Sequence, residues 1–75
     1  SIKEKMIKDL LNNMDALPED LQESTLKELI KSMDSLPSDV KHKLLQDILA
    51  KVEENGGGSE IDKEIRNQVL KEMLR

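Results

Sequence analysis

Apolar residues recur along this chain at the spacing of helix faces. Ile2, Met6, Ile7, Leu10, Leu11 and Met14 follow one another at intervals of one, three or four, which lays them along one side of a 3.6-residue helix over residues 2–15. That pattern stops at Asp15-Ala16-Leu17-Pro18, where proline cannot continue a helix but suits the first position of the next. Leu21, Leu26, Leu29, Ile30 and Met33 then form a second stripe, which halts at Asp34-Ser35-Leu36-Pro37. A third follows with Val40, Leu44, Leu45, Ile48, Leu49 and Val52, ending near Glu54 or Asn55. Both connections are short, so successive helices should run antiparallel.

The two turns are copies of each other. Aligning residues 7–25 with 26–44 pairs Lys8 with Lys27, Leu10 with Leu29, Met14 with Met33, Asp15 with Asp34, Leu17 with Leu36, Pro18 with Pro37 and Asp20 with Asp39. A third copy begins at Leu45 and dissolves at Asn55. This period is about half that of the common helical solenoids, which use two helices per unit. One helix and a tight turn per unit favours closure into a bundle.

The pattern changes at Asn55-Gly56-Gly57-Gly58-Ser59, which holds every glycine of the chain. This composition reads as a flexible linker, natural or engineered. It spans at most roughly 17 Å, enough to reach a neighbouring helix but not to run back along the preceding one. A last helix should therefore lie antiparallel to the third. Ser59 is its N-cap, with Asp62 three positions on, and Ile61, Ile65, Val69, Leu70, Met73 and Leu74 form its apolar stripe. It shares neither the Leu-Pro turn nor the repeat phase. The expected organisation is a repeat-like segment at 1–54, a linker at 55–59 and an amphipathic partner helix at 60–75, together an all-α, antiparallel four-helix bundle.

Composition narrows the function. No Phe, Trp or Tyr is present, so the core must be aliphatic and methionine-based. A net charge of -4 without aromatic side chains lacks the basic footprint and stacking platforms of nucleic-acid binders. The absence of cysteine fits a reducing compartment. No apolar run is long enough for a membrane span or a signal peptide, and a cytoplasmic protein is expected. The start at Ser1-Ile2 suggests a trimmed or excised piece.

Candidate chemistry is sparse. His42, the single histidine, lies between Lys41 and Lys43 and reads as a surface residue. Carboxylate pairs such as Glu53 with Glu54 sit at helix ends, where solvation accounts for them. We therefore expect no catalytic residues, no cofactor and no metal. Met6, Met14, Met33 and Met73 all fall on apolar faces, as gap fillers of a core or as the adaptable wall of a helix-binding groove.

These features point to protein recognition. Leu10, Met14, Leu29, Ile30, Met33, Ile48 and Leu49 are the candidate groove, and Ile61, Ile65, Val69, Leu70 and Met73 the inserted face. Residues 60–75 would stand in cis for a partner polypeptide. The layout is similar in outline to docking-domain pairs of polyketide and nonribosomal peptide synthetases, on the strength of the Gly56-Gly57-Gly58-Ser59 tether, the Leu17-Pro18 and Leu36-Pro37 turns and the short helix from Glu60 to Leu74. That resemblance implies a role in ordering the subunits of a multienzyme synthase. The alternative is a purely structural or designed bundle without a ligand. An open apolar face on the first three helices would also permit a homodimer.

Overall fold

The computed structural model describes residues 2–75. The chain is all-α, a bundle of four helices: α1 (Ile2–Asn12), α2 (Glu19–Ser32), α3 (Ser38–Glu54) and α4 (Glu60–Met73). Two short 3₁₀ turns, Met14–Ala16 and Met33–Ser35, follow α1 and α2.

The sequence repeat is also a backbone repeat. Leu17 and Leu36 take extended conformations (φ/ψ -94/148 and -93/155), and Pro18 and Pro37 follow at -57/152 and -56/148. Proline disfavours a helical residue before it, which forces each leucine out of the helix. In each copy the leucine N–H donates to the methionine carbonyl three residues back at 3.0 Å. The methionine is thereby turned inward, and Met14 and Met33 are both buried. Each proline sits one position earlier than expected, as N-cap rather than as the first helical residue.

Ion pairs define the helix directions. Lys41, at the start of α3, meets Glu72 at the end of α4, while Glu53, at the end of α3, meets Arg66 of α4. These two helices are antiparallel, as the short tether requires. Lys3 donates to Ser35 just before α3, and Asp15 after α1 pairs with Lys51 near the end of α3, so α1 and α3 run parallel. The closest packing joins α3 to α4, α2 to α4 and α1 to α3. Helices adjacent in sequence alternate in direction, yet neither α1 and α2 nor α2 and α3 pack closely.

One core cluster contains Ile7, Leu11, Met14, Leu26, Leu29, Ile30, Met33, Leu44, Leu45, Ile48, Val52, Ile65 and Val69. Several residues expected inside are not. Ile2, Met6 and Leu10 of α1, Leu21 of α2 and Leu70 and Leu74 at the end of α4 are exposed. On α1 the apolar residues form two adjacent stripes, 2-6-10 and 7-11-14. Only the second faces α3 and the core.

Candidate functional site

The site of interest is the seat that α2 and α3 form for α4. Ile65 and Val69, one turn apart on α4, are 1 % and 0 % exposed. They belong to the same core as Met14, Leu29, Ile30, Met33 and Ile48, all buried, while Leu49, Ile61 and Met73 are half-buried against it. Two candidates do not join. Leu10 is 45 % exposed because α1 stands off α2, and Leu70 is 44 % exposed because it lies on the outer side of α4.

Charged residues frame the seat. Arg66 donates through Nη2 to the Glu53 carboxylate at 2.9 Å and to the Gly57 carbonyl at 3.2 Å. Lys27 of α2 reaches Glu64 at 3.4 Å. Lys41 donates to Asp34 and to Glu72, each at 3.0 Å. Its hydrogen bonds to Asp34 and then to Glu72 hold the Lys41 ammonium above the ordinary lysine range, and the same contact lowers Asp34. Lys27 is raised by its hydrogen bonds to Glu23 and then Glu64. Glu64 and Arg66 lie in the first half of α4 and Glu72 at its end, so reversing α4 would carry them away from Lys27, Glu53 and Lys41.

Glu53, Glu64 and Glu72 lie thirteen or more residues from Arg66, Lys27 and Lys41, so no local pattern discloses those three pairs. Because Lys41 has a raised pKa, its stabilisation is complete below the ordinary lysine value of about 10.4 and is lost as pH rises through the raised one. Asp34 behaves oppositely: its contribution is present above about 3.9 and disappears as pH falls through the lowered value. Replacing Lys41 by methionine should lower the urea midpoint at neutral pH. The gap from wild type should narrow under strongly alkaline and strongly acidic conditions; a gap constant with pH would show that only packing was lost.

The tether is partly a helix terminus. Gly56 and Gly57 have φ of +99 and +66, and the Gly56 N–H donates to the Glu53 carbonyl at 3.0 Å, closing the end of α3. Gly57 is buried, and a Cβ there would stand 2.6 Å from the Arg66 Nη2 and against the Glu53 carboxylate. Gly58 faces open space. Gly57→Ala should destabilise the chain by about 1–2 kcal/mol through left-handed strain and displacement of Arg66, whereas Gly58→Ala should be close to neutral. Thermal melts of the two variants make this comparison. At the far side of the tether the Ser59 hydroxyl accepts from the Asp62 N–H at 3.0 Å, the expected N-cap.

An open groove of about 630 Å³ lies at this end of the bundle, between the beginnings of α2 and α4 and the end of α3. Its lining mixes Leu26, Val52, Ile61 and Ile65 with Asp15, Glu19, Glu23 and Lys51. Nothing in that lining couples a nucleophile to a base. His42 is exposed, and no group of three or more metal-ligating side chains occurs among the described residues. No helix among them is long and apolar enough to cross a membrane. Comparison with protein-family models, curated proteins and solved structures finds no match.

Proposed function

We propose that the chain is a non-catalytic docking module in which α1 to α3 form a receptor for one amphipathic helix, and α4 occupies that receptor in cis. The observation that carries this reading is the seating of α4. It inserts Ile65 and Val69 fully, fixes its direction through Arg66, Lys27 and Lys41, and is joined to the rest by five residues alone. Apolar anchors supply affinity in such a groove, and the charged rim supplies selectivity. A tether this short gives an effective concentration in the millimolar range, which keeps even a weak complex populated. A module of this kind would select which polypeptide stands next to which.

The near-regular repeat supports the second reading, a purely structural bundle. Inserting a protease site between Gly58 and Ser59 and cutting the folded protein separates the two. A docking module should yield pieces that dissociate on dilution and rebind saturably, with the 59–75 peptide gaining helix as it binds. If the 1–58 piece unfolds and added peptide cannot restore it, α4 is an integral part of one core. If 1–58 stays helical and ignores the peptide, the docking reading is wrong.

A further inference from the structure

The seam between α1 and α2 is open to solvent. These helices approach only loosely, leaving an open groove of about 390 Å³ with Leu10 and Leu29 on its walls and Ser24, Thr25, Glu28 and Ser32 along α2. Ile2, Met6 and Leu10, at 82 %, 59 % and 45 % exposure, run beside it as an unbroken apolar stripe of four-residue spacing.

The internal repeat shows what such a seam holds. Moving nineteen residues along the chain carries Leu10, Leu29 and Ser32 to Leu29, Ile48 and Lys51. On the α3 wall of that second seam a helix does pack, α1 itself, which pairs Asp15 with Lys51 at 3.3 Å. The first seam is built on the same plan and has no helix. Its α2 wall carries the neutral Ser24 and Ser32, with Glu28 between them, where the second seam has Lys43, Asp47 and Lys51. A helix seated there needs an apolar face without acids, which is the character of the 2-6-10 stripe.

We infer that α1 of a second copy covers this stripe, packed antiparallel on the first α1 about a twofold axis near Met6 and closing the mouth of the seam at Leu10. In that arrangement Ile2 of each copy lies opposite Leu10 of the other. Lys5 and Asp9, one turn apart on the outer flank of the stripe, have no ion-pair partner among the described residues, and the antiparallel pairing sets each beside its opposite charge in the other copy. An eleven-residue helix is about 16 Å long, so the contact falls below the ordinary interface of about 800 Å² per partner. The dimer is therefore weak. It does not depend on the docking of α4.

Sedimentation of the intact chain between about 10 μM and 1 mM tests this. The weight-average mass should rise from 8.5 kDa towards twice that value. Met6→Glu should remain monomeric with its helical signal unchanged. Asp9→Lys should weaken association about tenfold or more, and adding Lys5→Asp should restore it. The double variant places an acid in the first turn of α1 and a base near its last, which favours the helix, so lost folding would not mimic lost pairing. A chain that stays monomeric throughout, a dimer indifferent to Met6→Glu, or a charge reversal that restores nothing would overturn the proposal. So would a dimer abolished by lengthening the tether, because exchange of α4 between copies would then be its cause.

Discussion

Ile65→Asp should detach α4 and remove most of the stability of the chain. Ile65 is 1 % exposed at the centre of the α4 seat, surrounded by an aliphatic core with no cation inside it. Losing the isoleucine volume costs about 2–5 kcal/mol, and a carboxylate must then be buried or the helix released to water. A chain of this length holds roughly 4–11 kcal/mol in total, so release is the cheaper outcome. Amide exchange should show α4 losing its protection first, with Leu45, Ile48 and Val52 of α3 following as their cover departs. Ile65→Val, by contrast, should cost only about 1 kcal/mol and leave α4 protected. Retained protection of α4 in the aspartate variant would mean that Ile65 is not what holds it.

Alanine at three repeat-equivalent positions should give three different results. Leu10, Leu29 and Ile48 are nineteen residues apart, and nothing in their local sequence ranks them. Their exposures are 45 %, 6 % and 0 %. Leu10→Ala should cost less than about 1 kcal/mol, Leu29→Ala about 2–3 and Ile48→Ala about 3–4. The order follows from neighbours. Ile48 lies on α3, which has α1 on one side and α4 on another, so a cavity there cannot collapse. Leu10 faces the loosely closed seam and already meets solvent. Denaturant midpoints with a common m-value are the measurement; equal losses at the three sites would contradict this packing.

The Leu10 variant also bears on the inferred dimer. Its small effect on the monomer should be joined by weaker self-association, since Leu10 closes the end of the stripe opposite Ile2 of the other copy. Loss of association without loss of stability would assign Leu10 to an interface rather than to the core.

Much of this protein follows from local rules. Four helices, their order, the two Leu-Pro turns and the N-cap at Ser59 come from periodicity, from the restriction that proline places on its neighbours, and from the need of a helix start for acceptors; these act within a few residues and are written in the chain. The antiparallel placement of α4 on α3 follows from the reach of five linker residues. The identity of the core follows only in part. Ile30, Met33, Ile48, Ile65 and Val69 are buried as their spacing requires, but spacing equally nominated Ile2, Met6, Leu10, Leu21 and Leu70, which stay in water. An apolar stripe records which face of a helix could be covered, whereas coverage depends on how many neighbours arrive and at what distance. That was settled by the assembly, in which α3 lies against both α1 and α4 while α1 and α2 remain apart. The ion pairs of Lys27, Lys41 and Arg66, and the burial of Gly57 beneath the Arg66 side chain, have the same origin: they join residues that share no local pattern and meet only when the helices pack.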